Sequence, residues 1–221
     1  MSLESLLRES PYSAYAYSYP HKTAYRRLDP SITLREAWVN EKRDSLFLYL
    51  HLPFCEMRCG FCNLFTTVER NQRAHSDYLE TLQRQAERVK NSLGEATFSR
   101  AAIGGGTPTI LEPADLHRLF DIAEKTMGVA LGTVPLSIET SPATASPERL
   151  QVLRDRGASR VSIGVQSFVE NETKAIGRPQ RIIEVHGALE RINDYEFPIF
   201  NVDLMYGLPG QTTESWIQSL V

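Results

Sequence analysis

The sequence predicts an α/β fold in which a parallel sheet, built from about five βα units, curls into a partial (β/α) barrel. Three observations predict it. Short apolar runs alternate five times with segments of helical period after residue 45, glycine and proline punctuate the joins, and the connections are short. Repeated units of this kind force the strands parallel, and crossovers of one hand bend the series into an open or closed barrel.

The elements follow in order. Ser45 to Pro53 (SLFLYLHLP) reads as a buried strand, and residues 76–94 read as its helix. RAAIGGG, ending at Gly106, is the second strand. The helix after it, 113–127, places Leu116, Leu119, Phe120, Ala123 and Met127 on one face. VPLSIET, ending at Thr140, is the third strand; Ser146 and Pro147 then read as a helix cap and first turn, and Gly157 as the stop. RVSIGVQS, from Arg160, is the fourth strand, followed by a helix over 181–195 with Val185, Ala188, Leu189 and Ile192 inward. IFNVDLMYG, from Ile199, is the fifth. It turns at GLPG into a helix that begins near Thr212 and is still running at Val221. A bare parallel edge beyond the fifth strand is a liability, so the expectation is a barrel truncated at its C-terminus.

Two regions are expected: a tyrosine-rich N-terminal strap over 1–44 and the barrel core over 45–221. The strap carries tyrosines at 12, 15, 17, 19 and 25 with Pro11 and Pro20, and has neither helical nor alternating period. His21 and Lys22 within it are candidate substrate contacts. A net charge of -3 provides no basic field for nucleic acid or anionic lipid. The first twenty residues lack the apolar stretch of a signal peptide, and no later run is long enough to span a bilayer. The expectation is a cytoplasmic protein without nucleic acid or membrane partners.

All three cysteines fall in HLPFCEMRCGFC, as Cys55, Cys59 and Cys62, directly after the first strand. An odd, crowded set is a poor disulfide framework and points to metal binding or redox work. A zinc site wants a fourth ligand, and His51 and His75 lack the usual zinc-motif spacing; a dithiol pair of Cys59 and Cys62 gives Cys55 no role. Three thiolates can instead ligate three irons of a [4Fe-4S] cubane and leave the fourth iron open.

The spacing CxxxCxFC after a strand, in a chain of repeated βα units, resembles the radical S-adenosylmethionine (SAM) superfamily. Five blocks narrow the likeness to the oxygen-independent coproporphyrinogen III oxidase group with its heme chaperone and two-SAM methyltransferase and cyclopropanase relatives. They are YLHLPFCEMRCGFC, GGGTPT, the SIETSP stretch, RVSIGVQSF with Arg178 twelve residues after its glutamine, and NVDLMYGLPGQT. The resemblance implies a barrel of the radical SAM type and a [4Fe-4S] cluster on Cys55, Cys59 and Cys62. It also implies one SAM on the open iron, a second in some members, and a reductant such as flavodoxin or ferredoxin. Tyr49, Gly105 and Glu139 correspond to contacts with the first SAM, and Phe61, Gly106, Thr107, Gln166, Arg178 and Asp203 to contacts with the second. The implied reaction is reductive cleavage of SAM acting on a small molecule, a porphyrinogen or heme. One departure bears on the reaction: the classical oxidases of the group carry a fourth cysteine two positions beyond the last ligand, where this chain has Leu64.

The residues have physical readings of their own. Gly104, Gly105 and Gly106 end the second strand, where absent side chains let backbone approach a ligand closely. Glu139, Gln166 and Asp203 fall at strand ends, where the C-terminal rim of a parallel barrel collects active-site groups.

Overall fold

The computed structural model describes residues 26–220. The strap tyrosines at 12, 15, 17, 19 and 25, with His21 and Lys22, lie outside the described residues. The chain divides into two compact units, Met1–Val39 and Asn40–Val221. Within the first, helix α1 (Leu34–Ala37) starts at a capping box: Thr33 Oγ1 accepts from the Glu36 amide, and a Glu36 carboxylate oxygen accepts from the Thr33 amide.

The second unit holds a five-stranded sheet of β1 (Leu46–Leu52), β4 (Phe98–Gly105), β5 (Leu136–Thr140), β6 (Arg160–Gln166) and β7 (Ile199–Leu204), all parallel and in chain order. Strands laid down in sequence, each beside the last, form a single winding with no reversal of order. That is the topology the counted βα units predict.

Each strand has two unlike faces, because side chains alternate with period two. Leu48, Leu50, Leu52, Ala101, Ile103, Leu136, Ile138, Val161, Ile163 and Val165 are buried. The alternate positions carry Tyr49, His51, Glu139, Ser162, Gln166 and Asp203. A parallel sheet is usually apolar on both faces; here polar groups occupy one face toward the C-terminal ends of the strands.

The helices follow the predicted beat with revised ends. Helix α2 (Gln72–Leu93) begins four residues earlier than the apolar period indicates, because Asn71 caps it by accepting from the Arg73 amide at 2.9 Å. Helix α3 (Pro113–Asp121) passes into a π-helical turn, Ile122–Met127, that keeps Ile122, Ala123 and Met127 buried. Helix α4 (Pro147–Asp155) has Pro147 in its first turn, as expected, but Ser146 makes no side-chain cap; its Oγ accepts from Arg149 instead. Helix α6 (Ile182–Asp194) buries Val185, Ala188 and Ile192, with Leu189 only partly covered. Helix α7 (Thr213–Gln218) opens on a capping box of Thr212 and Ser215 and closes at Ser219.

Three small elements have no counterpart in the sequence reading. They are a two-stranded pair, β2 (Phe54–Cys55) with β3 (Thr67–Val68), a 3-10 turn at Pro108–Ile110, and helix α5 (Glu170–Ala175). Helix α5 has the polar sequence ENETKA and buries Glu172 and Thr173. Glu172 accepts from Ser167 Oγ at 2.6 Å, Ser215 Oγ at 2.5 Å and Gln211 Nε2 at 2.9 Å. Burial pushes this carboxyl up, but the three donors outweigh it and hold the group below its ordinary value. Gln211 in turn accepts from the Gly207 amide, so this carboxylate ties the turn after β7 to α5.

Candidate functional site

A cavity of about 460 Å³ opens at the C-terminal ends of the strands. Its walls include Cys55, Cys59 and Cys62, together with Phe61, Gly105, Gly106, Thr107, Glu139, Gln166, Arg178 and Asp203. Eleven of the twelve cluster and SAM contacts expected from the sequence thus share one lining. The exception is Tyr49, on β1, whose hydroxyl lies 3.2 Å from His51 Nδ1. His51 Nε2 lies 2.8 Å from the Phe65 carbonyl, which can only accept, so Nε2 carries a hydrogen toward it.

Two backbone hydrogen bonds hold the cysteine loop to the end of β4. The Gly106 amide donates to Leu52 O and the Thr107 amide to Phe54 O, each at 2.7 Å. A Cβ at Gly106 would lie 2.3 Å from Phe54 O, and one at Gly105 would lie 2.4 Å from the His51 ring. Gly105 also has φ +113, a backbone region that glycine alone occupies readily. The glycines were expected to admit a ligand; what Gly105 and Gly106 admit here is His51 and the protein's own loop.

The thiols sit in a mixed setting. The Cys62 amide donates to Cys59 O at 3.1 Å, closing the turn between those two ligand candidates. Burial pushes the Cys55 thiol up, partly offset by the Thr107 hydroxyl 4.0 Å away; Cys62 and Cys59 push it further up and Arg178 pulls it down. Arg178 donates through Nη1 to Cys59 Sγ at 3.2 Å and through Nη2 to Gly164 O at 2.6 Å. Its Nε is buried and has no partner among the described residues, so the lining holds a donor that a bound group could satisfy.

Glu139 accepts from the Gly105 amide at 3.0 Å. Burial pushes its carboxyl up, the Gly105 bond counters this, and Asp203 pushes it up again. Gln166 ends β6 at φ +71 beside a register shift, a strained conformation for a side chain of its kind. Asp203 accepts from Asn201 Nδ2 at 2.6 Å.

Sequence reasoning missed Glu56, Arg70, Ser141, Ser162 and Gln180 in the same lining. Glu56 lies inside the cysteine motif and accepts from Ser141 Oγ at 3.1 Å. Ser141 belongs to a buried hydroxyl cluster with Thr144, Thr109 and Thr140, linked at 2.9, 2.6 and 2.7 Å. Its place in SIETSP was the available signal. Among the described residues no three His, Cys, Asp or Glu side chains form a group that could hold a single metal ion. A cubane makes no such demand, because its three thiolates bind three separate irons.

A singly wound parallel sheet with a thiol-bearing loop after its first strand and a polar cavity on its C-terminal rim defines a rim-site (β/α) protein. The Radical SAM superfamily model matches residues 49–220, and the chain belongs to that superfamily. Membership implies a [4Fe-4S] cluster and SAM as cofactors. The chain is 32% identical over 164 residues to heme chaperone HemW of Bacillus subtilis, covering 74% of this chain and 43% of HemW. It is 30% identical over 217 residues to oxygen-independent coproporphyrinogen III oxidase of Salmonella typhimurium, covering 98% of this chain and 47% of the oxidase. The structure of coproporphyrinogen III oxidase HemN from Escherichia coli superposes with a TM-score of 0.81 at 29% identity, covering 93% of this chain and 47% of HemN. The chain thus spans less than half the length of these relatives.

Proposed function

We propose that this protein is a radical SAM oxidoreductase, similar to oxygen-independent coproporphyrinogen III oxidase and acting on a small molecule of the porphyrinogen or heme class. The observation that carries the reading is the gathering of Cys55, Cys59 and Cys62 around one cavity with eight of the residues that the resemblance assigns to SAM contacts. The volume lies within the roughly 300–1,000 Å³ of small-molecule sites. In the proposed assignment the three cysteines hold a [4Fe-4S] cluster with one iron open. When bound and reduced, that cluster supplies the electron that splits SAM into methionine and a 5'-deoxyadenosyl radical.

The chain's own groups bind, orient and exclude water. Glu139, which accepts from the Gly105 amide, would accept from the ribose hydroxyls of the first SAM, and Tyr49 would contact that SAM near its methionine end. Gln166, Arg178 and Asp203, with Phe61, Gly106 and Thr107, are assigned to a second SAM. A one-electron donor such as flavodoxin or ferredoxin would supply the electron. The setting is cytoplasmic, without nucleic acid or membrane insertion; no helix among the described residues is long and apolar enough to cross a membrane.

The test is anaerobic reconstitution of the longest product of the gene with iron and sulfide, followed by dithionite and SAM. The expected products are 5'-deoxyadenosine and methionine; a cluster-loaded sample that forms neither contradicts the proposal. A second reading, a heme-carrying chaperone, is favoured by Leu64 in place of the fourth cysteine and by the similarity to HemW. Stoichiometric heme binding without turnover supports it.

A further inference from the structure

Arg178 stands 119 residues from Cys59 in sequence, yet its guanidinium touches that cysteine's sulfur. Two further features place it there. The Gly60 amide donates to Ile176 O at 2.8 Å, and a Cβ at Gly60 would lie only 3.0 Å from that same oxygen, so the two backbone segments are pressed together. The Arg178 amide donates to Thr173 O at 2.9 Å, and its Nη2 to Gly164 O at 2.6 Å, which fixes the side chain from both ends. The contact is therefore built by the fold and does not depend on a flexible surface side chain.

The proposed cluster on these thiolates gains a negative charge when it accepts an electron. Hydrogen bonds to ligand sulfurs and nearby charge are the levers by which a protein sets the potential of such a group. Arginine stays protonated throughout the accessible range, so a cation in contact with Cys59 Sγ stabilises the reduced state more than the oxidised one. We infer that Arg178 is a positioning residue that raises the reduction potential of the cluster through Cys59. This inference rests on the cluster assignment above. It has a corollary in the same cavity. The buried Nε of Arg178 is unpartnered among the described residues, and an anionic group that binds the guanidinium offsets its charge and makes reduction harder.

The test is a redox titration of the reconstituted protein, followed by paramagnetic resonance without SAM, on wild type, Arg178→Gln and Arg178→Lys. The expected result for Arg178→Gln is a reduced-to-oxidised ratio at least tenfold lower at a fixed applied potential, a negative midpoint shift of about 59 mV for a one-electron couple. Arg178→Lys, which keeps the charge but not the fork, falls between. A cluster-loaded Arg178→Gln protein with the wild-type midpoint overturns the inference. If neither variant takes up iron and sulfide, wild type labelled with ¹⁵N-arginine carries the test: spin-echo spectra of the reduced cluster should show arginine nitrogen modulation, and its absence also overturns the inference. A wild-type sample that shows no cubane signal under any condition sinks the cluster assignment itself, and this inference falls with it.

Discussion

The Gly105 amide donates to the Glu139 carboxylate at 3.0 Å, joining the end of β4 to the end of β5 in the lining of the cavity. The same glycine has φ +113 and faces His51 where a Cβ would lie 2.4 Å from the ring. Gly105→Ala therefore meets both backbone strain and a steric clash. The expected loss is about 3 kcal/mol of unfolding free energy, read from urea denaturation with Gly132→Ala as the control. That control also has a positive φ, but nothing lies within 4 Å of its Cβ position, so it isolates the backbone contribution.

Glu139 has a carboxyl raised above its ordinary value, first by burial and also by Asp203. The folded state therefore holds this proton more tightly than the unfolded state does. Stability is favoured below the ordinary glutamate value and declines as pH rises through the raised one. The difference in unfolding free energy, wild type minus Glu139→Gln, should fall with pH across that window. A flat difference curve would show that Glu139 is not perturbed.

Glu172 behaves in the opposite sense. Its carboxyl is held below the ordinary value because the donors Ser167, Ser215 and Gln211 outweigh burial. Its stabilisation is complete above the ordinary glutamate value and is lost as pH falls toward the lowered one. At neutral pH Glu172→Ala leaves the three donors without their acceptor and is expected to cost about 1–3 kcal/mol. Proteolysis should then cut first in the turn over 205–212, which Gln211 braces.

Gln166 adopts φ +71, which glycine adopts freely and glutamine only at a cost. Relief of about 1–3 kcal/mol of strain exceeds the entropic cost of glycine, roughly 0.5–1 kcal/mol. Gln166→Gly is thus expected to stabilise the fold by about 1 kcal/mol in thermal denaturation while weakening ligand binding in the cavity, measured by calorimetry with SAM. A variant that is stabilised and binds SAM as wild type does would remove Gln166 from the site.

The strand order and the main helices were legible because apolar runs alternate with helical faces such as Leu116, Leu119, Phe120, Ala123 and Met127, all of which are buried. The rim residues were legible for a related reason: a strand end in a βα repeat falls on one rim whatever the loops do. Helix α5 was not, because ENETKA has no apolar face and is held by Glu172, whose partners lie in other segments. Nor were Glu56 with Ser141, or Arg178 with Cys59. Those contacts join residues 85 and 119 positions apart, and no local pattern encodes such a distance.

The most direct measurement is paramagnetic resonance of the anaerobically reconstituted, dithionite-reduced protein with and without SAM. The expected result is a [4Fe-4S] signal whose g values move when SAM is added, since an iron free of protein ligands is where SAM would bind. A cubane signal indifferent to SAM, or zinc held in tetrahedral sulfur coordination with no cubane, would contradict it.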